Sequence, residues 1–182
     1  MNKMKGGLGA LLCLCSGTLL AADFSVSSKD IRDGVAMSKQ QEFKGFGCDG
    51  GNQSPQLSWA DAPAGTKSFA ITVYDPDAPT GSGWWHWLVV NLPMTTTTLA
   101  SNASAAGLPA GALQTRTDFG AAGFGGACPP AGHGVHHYQH TVWALNVDKL
   151  DLNAEASGAL VGYMLNANVL AKATLTATYE RK

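Results

Sequence analysis

The sequence has few charged residues, and arginine is especially scarce. Charged side chains make up 14% of the 182 residues, and 12 Lys and Arg against 13 Asp and Glu give a formal net charge of −1. Arg32, Arg116 and Arg181 lie far apart in the chain. A nucleic-acid surface needs clustered Lys and Arg to neutralise phosphates. The composition therefore argues against a nucleic-acid partner, whereas 45% hydrophobic residues suffice for a globular core.

The sequence also lacks the short motifs of several enzyme classes. It has no G-x-S-x-G elbow, no H-E-x-x-H helix and no P-loop. Gly45, Gly47 and Gly50 spell G-x-G-x-x-G, but Asn52 and Pro55 follow where a dinucleotide site requires a helix. We therefore interpret this segment as a loop and expect neither a cofactor nor a recognisable catalytic motif.

The one long apolar run lies at the N-terminus. Lys3 and Lys5 precede the apolar residues 8–20, and the chain turns polar after Ala21 and Ala22. This is the layout of a secretory signal peptide, and it is too short for a stable membrane span. We predict a signal peptide over residues 1–22 and a single mature domain over residues 23–182. The expected location is periplasmic or secreted, with no integral membrane segment after cleavage.

Cysteine is almost absent from the mature chain. Cys13 and Cys15 fall in the predicted signal peptide, which leaves Cys48 and Cys128. An isolated pair of cysteines in an oxidising compartment favours one disulfide. Two buried thiols are the alternative.

The hydrophobic pattern predicts a mostly β domain with one late helix. Ser157 is suited to cap that helix, in which Leu160, Tyr163 and Met164 recur at helical spacing. Many strands followed by one helix and a final strand indicate an antiparallel sheet domain with the helix packed at one side. The predicted strands cover residues 24–27, 57–59, 69–74, 88–92, 136–147 and 174–179, the helix covers residues 157–171, and glycine-rich loops cover residues 45–52, 75–86 and 120–134.

The most distinctive of these loops places acidic and histidine side chains beside three tryptophans. Asp75, Asp77 and His86 lie in it, and residues 84–87 read Trp-Trp-His-Trp. Its Asp-Pro and Pro-Thr-Gly steps are also typical of plain turns. The tryptophans favour a pocket, because such large side chains are costly to place at a surface without one to line.

Three loops are candidates to converge on one site, namely residues 45–55, 75–86 and 123–136. A disulfide between the two cysteines would join the first loop to the third. Histidine N–H groups, the Tyr138 hydroxyl and glycine amides are donors suited to an anion such as phosphate. We expect Asp75 to accept from a histidine nitrogen and to hold that donor in place.

These motifs resemble the phosphatidylethanolamine-binding protein family, in its bacterial Raf kinase inhibitor-like branch. The family's D-P-D-x-P motif stands at residues 75–79, its W-x-H element at residues 84–86, and its G-x-H-R region at residues 134–137. The resemblance implies an antiparallel β-sandwich with a C-terminal α-helix and a final strand. It also implies a small pocket for phosphate, acetate or a phosphoethanolamine head group of a phospholipid.

The resemblance also assigns residues and a class of function. It implies a non-enzymatic binding or regulatory protein with a kinase or a protease as protein target. The family's arginine after the second histidine is His137 here, which removes a permanent charge. The implied pocket groups are Asp75, His86 and His136, with Asp77, Pro79, Trp84, Pro129 and Tyr138 at the rim or wall.

Two alternatives remain beside this interpretation. A weak hydrolase would use Asp75, His86 and His136, with Ser82 as the nucleophile to test. A zinc site would draw on the histidines of residues 133–140. We expect no metal, because alternating strand positions point to opposite faces and do not close a tetrahedron easily.

Overall fold

The structure is a computed structural model that describes residues 22–182. The predicted signal peptide therefore lies outside the described residues, except for Ala22. Within residues 22–182 the chain forms these strands and helices: β1 Ser25–Ser27, β2 Lys44–Gly45, β3 Cys48–Asp49, β4 Leu57–Ala60, β5 Ser68–Asp75, β6 Trp84–Pro93, β7 Thr98–Leu99, α1 Ala103–Ala106, β8 Leu113–Gln114, β9 His136–Leu145, α2 Gly158–Asn168 and β10 Val169–Tyr179.

The strands form two packed antiparallel sheets and a small hairpin. The larger sheet has the order β10-β9-β5-β6-β8, and the smaller has the order β1-β4-β7. The hairpin pairs β2 with β3. A hydrophobic core that includes Trp59 of β4 and Phe69 and Ile71 of β5 lies between the sheets. The predicted mostly β, antiparallel sandwich is confirmed.

Strand β5 is the centre of the larger sheet, and its sequence explains why. Its residues are almost all buried, as expected for a strand that is covered on both faces. Phe69, Ile71 and Val73 face the sandwich core, while Ala70 belongs to a second core on the other face. This second core is completed by Val161 and other residues of α2. The predicted helix at one side of the sheet is therefore present.

The helix differs from its prediction in extent and in buried face. The Ser157 hydroxyl accepts from the Leu160 amide at 3.3 Å, so the predicted N-cap is confirmed. The helix ends at Asn168, because Val169 already pairs with Leu145 and begins β10. Leu160 and Tyr163 are 45% and 71% exposed, so the residues that suggested the helix do not form its main buried face. Val161 is fully buried instead.

Two predicted loops contain more sheet than the sequence indicated. Residues 84–87 belong to β6, which begins at Trp84 and not at Leu88. The glycine-rich segment of residues 45–52 includes β3 and the end of β2. Phe46 and Gly47 form the turn between these strands, with positive φ values of 53° and 82°. That conformation is typical of a two-residue hairpin and is helped here by the glycine.

The candidate site lies where three strand termini meet. Asp75, the last residue of β5, pairs with Trp84, the first residue of β6. Strand β9 runs antiparallel to β5 and begins at His136, beyond the last paired residues Tyr74 and Gln139. One end of the larger sheet therefore collects the polar side chains that the sequence analysis singled out.

Candidate functional site

A cavity with a volume of about 210 Å³ opens at this end of the sheet. Its buried polar or titratable groups come from Asp75, His86, His136 and Tyr138. Aromatic and proline side chains supply most of the remaining surface, so polar groups are concentrated among mainly apolar walls. The lining residues are Phe46, Asp75, Ala78, Pro79, Thr80, Trp84, His86, Phe119, Cys128, Pro129, Pro130, His136 and Tyr138.

The Asp75 carboxylate has both oxygens engaged by the protein. Its Oδ1 accepts from the Asp77 amide at 2.8 Å, which shapes the turn after β5. Its Oδ2 lies 2.7 Å from Nδ1 of His136. Asp75 and His136 are 2% and 1% exposed, so the pair is shielded from water. Asp75 thus orients a histidine, as the sequence analysis predicted.

The second nitrogen of His136 also has a partner. Nε2 of His136 lies 2.8 Å from Nδ1 of His133, which stands on the exposed loop before β9. Asp75 accepts from Nδ1 of His136, and in the second contact one of the two histidine nitrogens donates while the other accepts. The contacts form a chain from Asp75 through His136 to His133. From the sequence, His133 was a candidate only for a zinc site, and its contact with His136 was not predicted.

His86 reaches the cavity from a β-bulge. Val73 pairs with Trp87 and Tyr74 pairs with Trp85, so His86 is the extra residue of β6. Its Nδ1 donates to the Gly125 carbonyl at 2.8 Å. Burial lowers the pKa of His86 below its ordinary value, although hydrogen bonding and nearby Asp75 oppose the shift. His86 is therefore neutral at neutral pH, and Nε2 is the nitrogen left to accept from a ligand.

Two further lining residues carry buried donors. In the part of the chain that the structure describes, the Tyr138 hydroxyl and the Trp84 indole N–H have no hydrogen-bond partner. Burial raises the pKa of Tyr138, so its hydroxyl keeps its proton. Buried donors without partners are uncommon, because each loses its bond to water. These two donors suit an acceptor group at the cavity.

The predicted disulfide is present and joins two walls of the cavity. Cys48 is bonded to Cys128 across a sequence separation of 80 residues. The bond fastens the β2–β3 hairpin beside Pro129, and Phe46 at the hairpin's turn reaches the cavity. Phe46 is 71% exposed, and its ring centroid lies 5.8 Å from that of Phe119. The alternative of two buried thiols is wrong.

The structure brings most of the predicted site residues together around one cavity. Asp75, Pro79, Trp84, His86, Pro129, His136 and Tyr138 all line it. Asp77 does not line the cavity. Its carboxylate accepts instead from the backbone and the ring of His137, each at 2.8 Å. His137, at the position of the arginine in the family's G-x-H-R motif, thus pairs with Asp77.

Several residues that line the cavity were not predicted from the sequence. Phe46 and Phe119 both lie in turn-like, glycine-containing segments, where an aromatic side chain gives no periodic signal. Ala78, Thr80 and Pro130 stand beside predicted residues but carry no distinctive chemistry. Their membership follows from how the three loops fold together.

Within residues 22–182, no three His, Cys, Asp or Glu side chains form a group that could hold a metal ion. Over the same range, no helix is long and apolar enough to cross a membrane.

Sequence comparisons place the chain among known proteins. The model of the family described as phosphatidylethanolamine-binding protein matches residues 27–180. UPF0098 protein YbcL of Escherichia coli K12 is 54% identical over 178 residues, which cover 96% of this chain and 97% of YbcL. UPF0098 protein YbhB of the same organism is 51% identical over 154 residues, covering 84% of this chain and 97% of YbhB.

Solved structures agree with this placement. The crystal structure of Escherichia coli YbcL, described as a member of the mammalian PEBP family, matches with a TM-score of 0.87 and 58% identity. The match covers 88% of this chain and all of that one. Carboxypeptidase Y inhibitor, solved with its cognate proteinase, matches with a TM-score of 0.50 over 87% of this chain and 83% of that one. At 18% identity it shares the fold alone. The chain belongs to the phosphatidylethanolamine-binding protein family.

Proposed function

We propose that this protein is an exported, non-enzymatic binding protein whose cavity holds a phosphate-class anion. The ligand is inorganic phosphate, phosphoethanolamine or the phosphate of a larger molecule. The proposed binding residues are Asp75, His86, His136 and Tyr138 at the buried part of the cavity, with Pro79, Trp84 and Pro129 as walls. Asp77 supports the turn after β5 from outside the lining.

The observation that carries the proposal is that one cavity is lined by residues with hydrogen-bond donors and an acceptor that have no protein partner in the described chain. Tyr138 and Trp84 offer donors without partners in the described chain, and neutral His86 offers an acceptor at Nε2. A phosphate that still carries a hydrogen matches both kinds of group, because it accepts through its free oxygens and donates through its P–OH. Sulfate has a similar shape but carries no hydrogen near neutral pH.

The size of the cavity supports a small ligand or the head group of a larger one. Its volume of about 210 Å³ is below the roughly 300–1,000 Å³ of pockets that enclose drug-sized molecules. A phosphate or phosphoethanolamine group suits this volume, whereas two acyl chains do not. Any lipid tail would lie outside the cavity.

A protein target is a further part of the proposal. The family has binding and inhibitor-like roles, and one fold neighbour was solved in complex with its cognate proteinase. We extend this to the present chain as a regulatory protein that acts on a kinase or a protease. The head-group pocket and the target surface are then separate features, and loss of phosphate binding need not abolish the protein contact.

The hydrolase alternative finds little geometric support. Asp75 pairs with His136 and not with His86. Ser82 does not line the cavity. Ser82→Ala should leave phosphate binding unchanged. Loss of a measurable esterase or phosphatase activity on this substitution would instead favour the hydrolase.

The export part of the proposal rests on the N-terminal pattern and on the disulfide. Disulfides persist mainly in oxidising compartments. We expect the mature protein to begin near Ala22 or Asp23 and to be found outside the cytoplasm. Intact-mass measurement of protein from its native host, with and without reductant, tests both the processing and the bond.

The binding proposal is tested by comparing two anions of similar shape. Calorimetric titration near neutral pH should give a phosphate dissociation constant in the micromolar to millimolar range, since about 4–8 kcal/mol is typical of a few bonds to a hydrated anion. Sulfate should bind several-fold more weakly. The proposed site would be refuted if wild type bound phosphate and sulfate equally and His136→Ala bound both anions as tightly as wild type does.

A further inference from the structure

The starting observation is that both ring nitrogens of His136 are occupied by protein partners. Nδ1 bonds to Asp75 at 2.7 Å, and Nε2 bonds to His133 at 2.8 Å. A ring nitrogen lies in the ring plane and makes one strong hydrogen bond. A ligand that bonds to Nε2 must therefore take the place of His133, whichever partner carries the hydrogen.

We propose that His133 is an internal competitor for the anion, which gates access to Nε2 of His136. This inference rests on the proposed function, because it concerns the same cavity. The loop of residues 129–135 carries the gate, and Asp75 is the fixed end of the chain of contacts. Binding then exchanges the His133 bond for a bond to the anion.

The two histidines differ in what they lose when they separate. His136 is 1% exposed, so its Nε2 has no ready access to water. His133 is exposed, and water can replace His136 as its partner. Opening therefore leaves Nε2 of His136 buried without a partner until a phosphate contact takes the place of the His133 bond.

The backbone on either side of His133 suits a movable side chain. Gly132 and Gly134 have φ values of +73° and +95°, a region that glycine adopts without strain. A Cβ at either position would meet nothing within 4 Å, so these glycines serve the turn and not close packing. The loop is anchored before the histidine, where the Gly132 amide donates to the Arg181 carbonyl at 2.9 Å. The ring of His133 can thus swing while its loop stays attached.

The same chain offers a matched control. His137 is also an exposed histidine near the start of β9. Its Nδ1 bonds to the carboxylate of Asp77 at 2.8 Å, much as Nδ1 of His133 bonds to His136. Its bond does not involve His136. Removing His137 therefore removes a similar side chain and a similar contact without freeing Nε2.

The experiment is calorimetric titration of wild type, His133→Ala, His136→Ala and His137→Ala with inorganic phosphate. His133→Ala should bind about two- to tenfold more tightly than wild type, because the competing hydrogen bond is gone. His137→Ala should bind as wild type does. A structural role for His133 would give the opposite sign, because a loosened loop weakens binding.

Nitrogen chemical shifts of the histidine rings give a readout that does not depend on affinity. His133→Ala should change the hydrogen-bonding state of Nε2 of His136 before any phosphate is added, and His137→Ala should not. In wild type, saturating phosphate should move the His133 ring signals to those of a solvent-exposed ring.

The outcomes separate this inference from the proposed function. If His136→Ala abolishes phosphate binding but His133→Ala binds no better than wild type, the proposed competition by His133 is wrong, whereas the proposed anion site is supported. If phosphate binds neither wild type nor His133→Ala, or binds His136→Ala undiminished, both proposals are wrong. If His133→Ala bound phosphate and wild type did not, both proposals would be supported, and His133 would block Nε2 of His136 in wild type.

Discussion

Nδ1 of His136 lies 2.7 Å from Oδ2 of Asp75, and both side chains are buried at the end of one sheet. Strand β5 ends at Asp75 and strand β9 begins at His136, so two strand termini that are 61 residues apart in sequence position this hydrogen-bonded pair. The pair fixes which nitrogen of His136 can face a ligand.

Replacing Asp75 by Asn should therefore affect both stability and binding. The variant leaves a buried imidazole N–H facing an amide, and we expect the free energy of unfolding to fall by about 1–3 kcal/mol. Phosphate affinity should fall as well, because His136 loses its orienting partner. Urea unfolding and calorimetry measure the two effects.

Asp77→Asn is the control for this change. Asp77 also accepts from a histidine, but its side chain is 40% exposed and that of His137 is 52% exposed. Exposed pairs of this kind contribute about 0–1 kcal/mol. Equal destabilisation by the two substitutions would show that burial of the Asp75 pair has no special effect.

Tyr138→Phe should separate a binding role from a structural one. The Tyr138 hydroxyl is buried without a partner in the described chain, so its removal should not lower the free energy of unfolding. Phosphate affinity should nevertheless fall by about two- to tenfold, since one donor is lost. Tyr163→Phe, at a residue 71% exposed, serves as the matched control. Unchanged phosphate affinity in Tyr138→Phe would remove this hydroxyl from the proposed site.

The free energy of unfolding should decrease as the pH is lowered, because two buried histidines have a lowered pKa in the native protein. Burial lowers the pKa of His140 to about 4, and burial also lowers the pKa of His86. An unfolded histidine has a pKa of about 6.5, so below that pH the unfolded chain binds more protons than the native chain. The stabilisation is fully present above pH 6.5 and is lost as the pH falls towards 4. For His140 it amounts to about 3 kcal/mol.

His140→Gln tests this dependence. The variant should show a shallower loss of unfolding free energy between pH 6.5 and 4 than wild type, as measured by urea unfolding at several pH values. An identical slope in both proteins would mean that His140 titrates alike in the folded and unfolded chains.

The disulfide should contribute to both stability and the shape of the cavity. It closes a separation of 80 residues, for which the chain-entropy model gives roughly 4–5 kcal/mol. Replacing Cys48 and Cys128 together by Ala should lower the free energy of unfolding by about 2–5 kcal/mol. Phosphate affinity should fall too, since Phe46 and Cys128 line the cavity. Unfolding midpoints that are insensitive to the double substitution would contradict this.

Local sequence patterns predicted the fold well because they act over a few residues. The apolar, β-branched residues 69–74 identified the buried central strand, and the cysteine pair identified the bond between two loops. These features depend on composition and alternation, which a sequence displays directly. The assignment of Asp75 and His136 to the pocket rests on the resemblance of residues 75–79 and 134–137 to motifs of the family.

The remaining features depend on register and on contacts distant in sequence. A β-bulge at His86 breaks the alternation of β6, which explains why the pattern of residues 84–86 predicts a loop. Bulges redirect side chains and often lie near functional sites. Phe46 and Phe119 meet only after the β2–β3 hairpin folds against the segment that contains Phe119. Likewise, the contact between His133 and His136 depends on the exact turn between them.

The proposed anion site is tested most directly by phosphate binding in one calorimetric series of wild type, His86→Ala, His136→Ala and His137→Ala. We predict that wild type binds in the micromolar to millimolar range, that each of the first two variants loses about tenfold or more in affinity, and that His137→Ala loses none. Equal loss in all three variants, or undiminished binding by His136→Ala, would show that the proposed site is wrong.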